Sequence, residues 1–354
     1  MIHPTTPLDP QRMYRLPWSL NDNVLAWLEP TKRCNLYCEG CYSRNDLHSD
    51  KPLEQVRKDL DVFVANRNVD SISIAGGDPL VYPHIVETVR IIRHEYGKKP
   101  VINTNGLALT PELLGQLQEA GLYGFTFHVD SSQVRPHWKN KTEQELNALR
   151  YRFARMVADA GDLSVAFNAT IFRHTMKDVP MLVEWAREHA DIVHTMVFIL
   201  FRTLRTEEFD FYAGGEKVEA GAELVYHDMD ANPQPIVAQE VVDAIRTEDP
   251  LYEPCAYLGG TRDPKSVKWL LAGRLVGEDR EVYGYVGPRY MEMVQTVHHA
   301  ARGSYLAYVE PGLLSAGRSI MAGFSAVGAG TRGPARRYAK RVPLAPRQGP
   351  PQGH

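Results

Sequence analysis

Short apolar runs alternate with helical-period segments along residues 24–202. Residues 24–28 form an apolar run that predicts a first strand. Leu53, Val56, Leu60 and Val64 recur at helical spacing and predict a helix over 53–67. A second strand over 71–75 runs into Gly76-Gly77-Asp78-Pro79. The alternation continues with a helix over 84–96, a strand over 100–104, and a helix over 111–120 opened by Thr110 and stopped by Gly121. A strand over 124–130, a long helix over 143–160, a strand over 163–171, a helix over 179–189 and a strand over 191–200 complete the series. Strand and helix alternate six times with crossover-length helices, which predicts a parallel α/β sheet.

Beyond residue 202 the pattern breaks. Gly214-Gly215, Gly221 and Asn232-Pro233 mark 207–235 as a hairpin or lid. A helix is expected over 236–246, a small accessory region around Gly259-Gly260 over 255–287, and a helix over 290–301 with Met291, Val294 and Val297 on one face. Residues 1–20 are polar and proline-containing and are expected to lie across the barrel as a lead-in. The expected division is a lead-in at 1–23, a core at 24–202, an accessory region at 203–310 and a tail at 311–354.

Composition changes this picture little. The chain has 354 residues, 44% hydrophobic and 23% charged, as in an ordinary globular protein. A net charge of −3 gives no global signature of nucleic-acid binding. No signal-peptide core or membrane-length apolar run is seen, so a cytoplasmic home is expected. The tail departs from the average. From Pro311 onward it holds Arg318, Arg332, Arg336, Arg337, Lys340, Arg341 and Arg347 with no acidic residue, and from Gly328 it reads as disordered. Such a tail suits an anionic membrane surface, an acidic electron donor, or solvent alone.

The chemistry concentrates in Cys34, Cys38 and Cys41, a C-x3-C-x2-C loop holding three of the chain's four cysteines. Thiolates favour iron–sulfur clusters, zinc or copper(I). A structural zinc site wants four protein ligands, and Cys255 is remote. Three ligands on one loop suit a [4Fe–4S] cube with one iron left for a small molecule. A non-catalytic zinc or iron–sulfur module completed by a residue such as His48 stays open as the alternative. Cys255 is open to three roles: a buried small hydrophobe, a hydrogen-atom donor, or an incidental thiol.

The cysteine spacing and the later Gly76-Gly77-Asp78-Pro79 resemble the radical S-adenosylmethionine (SAM) superfamily. The resemblance implies a partial (β/α)6 barrel over about 24–202, with a [4Fe–4S] cluster and SAM as cofactors. It further implies reductive SAM cleavage to a 5′-deoxyadenosyl radical that abstracts hydrogen from an unactivated C–H bond, and a reducing partner such as flavodoxin or ferredoxin. Gly76, Gly77, Asp78 and Pro79 are expected to receive the SAM ammonium. Thr104, Asn105, His128, Asp130, Ser131 and Asn168 stand at strand-end places that contact its carboxylate and ribose in similar proteins. The residue before the third cysteine is often aromatic in the family; here it is Gly40, and Tyr42 is the aromatic residue at hand. The stretch 128–136, with Glu145-Leu146-Asn147, Leu149-Arg150 and 167–170, resembles radical SAM methylases that include tetraether lipid synthases and pterin-modifying enzymes. That implies methylation or C–C bond formation on a lipid-like or natural-product substrate, with peripheral membrane contact through the tail. Those relatives carry further cysteine-bound metal sites, for which this chain has only Cys255.

Overall fold

The computed structural model describes residues 6–16, 21–201, 210–218, 235–258, 267–276 and 280–309. Six strands form one parallel sheet in sequence order: β2 (Leu25–Thr31), β3 (Ser71–Gly76), β4 (Lys99–Thr104), β5 (Gly124–His128), β6 (Ser164–Ile171) and β7 (Thr195–Leu200). A further strand, β1 (Tyr14–Leu16), precedes them. Strands β2 and β7 are the two edges, which leaves a partial α/β barrel. β3 is buried throughout, whereas β7 is half exposed, as an edge strand must be.

The connecting helices are α1 (Leu53–Asn66), α2 (Ile85–Arg90), α3 (Pro111–Glu119), α4 (Glu143–Ala160) and α5 (Val179–Glu188). Local chemistry sets their ends. Thr110 Oγ1 accepts from Leu113 N, and Thr142 with Glu145 forms a reciprocal capping box on α4. The helix expected over 84–96 instead ends α2 at Arg90 and continues as a wider π turn, Ile91–Glu95. Val64 of α1 is exposed, so the buried seam of that helix is Val56 and Leu60. The main core lies between strands and helices, with Phe125, Phe127, Phe153 and Phe167 packed ring against ring.

Residues 14–16 of the lead-in join a second, smaller sheet. β1 pairs in parallel with β10 (Ala256–Leu258), which pairs antiparallel with β11 (Lys268–Leu271). Segments far apart in sequence thus meet in one small sheet, where Tyr14, Leu16, Cys255 and Tyr305 form a core. Leu8 packs on Ala238 and Val242 of α6 (Ala238–Glu248), which also packs against α5 through Val241 and Ile245. Short hairpins pair β8 (Phe211–Ala213) with β9 (Glu216–Val218) and β12 (Arg274–Val276) with β13 (Val282–Tyr285). The helix α7 (Pro288–Arg302) turns in Gln295 as well as Met291, and leaves Val297 exposed, which corrects the expected apolar face.

Past α7 the chain crosses the N-terminal ends of the barrel strands. Asp70 accepts from Ala307 N at 3.0 Å and from Lys99 Nζ at 2.7 Å. Lys99 and Tyr123 both donate to the Tyr308 carbonyl, at 2.9 and 3.3 Å. The expected basic tail and the turn residues Gly221, Asn232, Pro233, Gly259 and Gly260 lie outside the described residues. No helix among the described residues is long and apolar enough to cross a membrane.

Candidate active site

The C-terminal ends of the strands gather at one mouth, the usual position for chemistry in βα barrels. β2 delivers the cysteine loop there. Arg33 N donates to Thr31 Oγ1 at 3.0 Å and Lys32 N to Ser49 Oγ at 2.8 Å, which turns the chain out of the strand. Cys34 N and O are both held by the Asn45 side chain. The far side is zipped to the loop after β5: Glu39 N donates to Ser132 O at 3.1 Å, Val134 N to Tyr37 O at 3.0 Å, and Cys38 bridges Gln133. Arg33 is turned to Asp50 at 3.3 Å and to the Val81 carbonyl.

Gly76 and Gly77 explain the loop's placement. A Cβ at Gly77 would lie 2.2 Å from Arg33 O, and one at Gly76 would lie 2.1 Å from Thr31 O. Gly77 N and Asp78 N donate to those same carbonyls, of Thr31 and Arg33, at 2.9 and 2.8 Å. The start of the cysteine loop therefore needs this space. Tyr42 reinforces the junction, its hydroxyl 3.3 Å from both Gly76 N and O. Gly40 takes φ +69°, and a Cβ there would lie 2.6 Å from the Phe201 ring, itself stacked on Phe172 at 4.8 Å. An aromatic side chain has no room at position 40.

The acids expected at the cofactor rim are turned inward. Asp78 is 1% exposed and accepts from Thr104 Oγ1 at 2.8 Å, Asn105 N at 2.8 Å and Leu80 N at 3.0 Å. Pro79, buried, opens the short turn that follows. Burial pushes the Asp78 carboxyl up, against the donors around it. Thr104 is consumed in the same brace and accepts from Gly106 N. Asp130, also 1% exposed, accepts from Thr170 N at 2.9 Å, from Ser132 N at 3.1 Å and from the Ser132 hydroxyl, and faces His128 Nε2 at 2.7 Å. Burial alone would raise its carboxyl; His128, Ser132 and Thr170 outweigh burial and hold it well below the usual range. Both acids brace the strand ends. Ser131 N is held by Glu143 Oε1 at 2.6 Å. Asn168 sits beside His128 in the sheet, its Oδ1 buried without a hydrogen-bond partner.

Three groups escaped the sequence reading. Gln133 Nε2 lies 3.4 Å from Cys38 Sγ. Arg135, 1% exposed, donates to Gln133 Oε1, Asn105 O and His128 O, and its Nη1 is buried without a partner. Arg150 pairs with Glu143 and donates to Val129 O at 2.7 Å, fixing the turn from behind. The unusual polarity of 128–136 was the signal; which side chains turn inward depends on the fold.

Burial pushes all three loop thiols up, Cys38 to about 12. They feel one another's charge. Among the described residues no three His, Cys, Asp or Glu side chains converge as a single-ion site, and His48 is exposed at the far end of the loop. Zinc draws sulfurs to about 2.3 Å from one point, whereas a cluster takes each thiolate on a separate iron. Three half-buried thiols on one loop, two with amide groups at the sulfur, fit the cluster. Cys255 is fully buried under the small sheet, its thiol on Leu271 O, a packing position remote from the loop.

Fold and loop together define a partial βα barrel with three half-buried thiols at the strand mouth. More specifically, residues 28–186 match the Radical SAM superfamily. The family uses a [4Fe–4S] cluster and SAM. The chain is similar to a GTP 3′,8-cyclase of Chlorobaculum tepidum, 28% identical over 204 residues, 57% of this chain and 61% of that one. It is 27% identical over 197 residues to an AdoMet-dependent heme synthase of Methanosarcina barkeri, 53% of each chain. It is also similar to a 7,8-dihydro-6-hydroxymethylpterin dimethyltransferase of Methanocaldococcus jannaschii, 26% identical over 182 residues, 49% of this chain and 36% of that one. The chain thus spans at most about three-fifths of these relatives' length. Among solved structures, SuiB of Streptococcus suis bound to SAM matches with TM-score 0.40 and 18% identity, over 52% of this chain and 42% of that one.

Proposed function

We propose that this radical SAM protein binds a [4Fe–4S] cluster through Cys34, Cys38 and Cys41 and acts on an unactivated C–H bond of a small molecule. The observation that supports it is the placement of three half-buried thiols at the barrel mouth, clamped by Gly76 and Gly77 on one side and by residues 132–134 on the other. When bound, the cluster supplies the electron that cleaves SAM to methionine and a 5′-deoxyadenosyl radical. The chain's own residues brace the site. Asp78 and Asp130 lock the ends of β3, β4, β5 and β6, and Arg135 joins the β4 and β5 ends through Asn105 O and His128 O. Among the described residues of this site, Asn168 Oδ1 and Arg135 Nη1 are buried polar atoms without a partner, and we assign them to a ligand.

Methylation or C–C bond formation on a lipid-like or natural-product substrate is the reading favoured by the 128–136 stretch and by similarity to the pterin dimethyltransferase. A low-potential donor such as flavodoxin or ferredoxin supplies the electron, in the reducing cytoplasm. Anaerobic reconstitution with iron and sulfide tests the cluster. The reading expects about four irons per chain and a brown protein; Cys34→Ala, Cys38→Ala and Cys41→Ala each lose the iron, and Cys255→Ala keeps it. Retention of iron by all three loop variants overturns the assignment.

A further inference from the structure

We infer that Gln133 and Asn105 are positioning residues that donate N–H···S hydrogen bonds to the thiolates of Cys38 and Cys34 and so set the midpoint potential of the cluster. This rests on the cluster reading above.

The orientation of each amide follows from its oxygen. Gln133 Oε1 lies 2.8 Å from Arg135 Nε and 3.2 Å from Asp130 N, both of which can only donate. The oxygen must face them, so the amide NH2 must face Cys38 Sγ at 3.4 Å. Asn105 repeats the device: its Oδ1 accepts from Leu107 N at 2.8 Å, and its Nδ2 faces Asn35 Oδ1 at 2.7 Å and Cys34 Sγ at 3.8 Å. The two side chains belong to residues only 5% and 6% exposed, so water competes poorly for their amide groups. Arg135 ties both into one frame, since it holds the Gln133 oxygen and the Asn105 carbonyl. The contact of Cys41 Sγ is instead the Ser43 carbonyl, 3.3 Å away, so the donors fall on two thiolates of three.

The consequence is electrostatic. When a cluster takes one electron from an external reductant, cluster and thiolates together become one unit more negative. N–H dipoles aimed at sulfur stabilise that reduced state more than the oxidised one, and hydrogen bonds to the sulfurs are among the determinants of cluster potential. Removing a donor therefore shifts the midpoint to more negative values.

The test is a mediated reductive titration of the reconstituted full chain, followed by electron paramagnetic resonance. Gln133→Met is neutral and of similar length but has no N–H. It is expected to load iron like the wild type and to lose roughly tenfold in the equilibrium constant for reduction, about 59 mV for one electron. Asn105→Leu is expected to shift the same way by less, in line with its longer contact. A second measurement needs no variant: exchange of the wild type into D2O is expected to shift the Fe–S(Cys) bands in resonance Raman spectra. A fully loaded Gln133→Met with the wild-type midpoint overturns the inference, as do Fe–S(Cys) bands insensitive to D2O. A wild type that takes up no iron overturns the cluster reading itself.

Discussion

Asp78 and Asp130 each stand just beyond a strand end, and in the sequence both read as open acceptors for a cofactor. The fold surrounds each with donors from the next strand end and from its own turn. Asp78→Ala is accordingly expected to cost about 3 kcal/mol of stability, because Thr104 Oγ1, Asn105 N and Leu80 N lose a buried acceptor. Denaturant titration of the metal-free protein measures this; an unchanged midpoint alongside lost SAM affinity returns Asp78 to a ligand role. Asp130 gives a pH signature. Its folded carboxyl titrates below its unfolded value of about 4, so its contribution is fully present above that value and is lost as pH falls below it. Thermal unfolding between neutral and acidic pH is expected to show a steeper acid loss for wild type than for Asp130→Asn. Parallel profiles for the two proteins contradict the assignment. A single sequence marks such acids as placed but says nothing of how many N–H groups converge on them, which is set by strand register.

The alternation of apolar runs and helical periods made the six strands and most helices legible, because each strand is buried on a sheet and each helix has one apolar seam. The ends depended on local chemistry: Thr110 and Thr142 cap where side chain and backbone agree. Pairing between distant segments was not legible, since β1, at Tyr14–Leu16, meets β10 across the whole chain. The three cysteines were visible from spacing alone, whereas Gln133 and Arg135 turn inward only once the loop after β5 is zipped to Cys38. The glycine element was visible too, though what it admits is the backbone of residues 31–33. Gly77→Ala is therefore expected to displace the cysteine loop. Its Cβ meets a carbonyl at 2.2 Å, where backbone and not a flexible side chain must give way. After reconstitution this variant is expected to hold much less iron than the wild type while keeping its circular dichroism spectrum. Wild-type iron content contradicts the clamp.

At the scale of the molecule, residues 307 and 308 cross the strand starts, and a small sheet joins residues 14–16 to 256–271. Leu16, 1% exposed in that sheet, is expected to cost about 3 kcal/mol on truncation to Ala. The last described residues lie at the strand starts, opposite the cysteine loop, so a chain ending at Val309 is expected to load its cluster normally. The account turns on one chemical event, and the most direct measurement is of its product. Reconstituted full-length protein is incubated anaerobically with SAM and dithionite, and 5′-deoxyadenosine is quantified by mass spectrometry. The account predicts 5′-deoxyadenosine from wild type and Cys255→Ala and none above background from Cys38→Ala. An iron-loaded wild type that leaves SAM intact, or a Cys38→Ala variant that forms 5′-deoxyadenosine as fast as wild type, contradicts it.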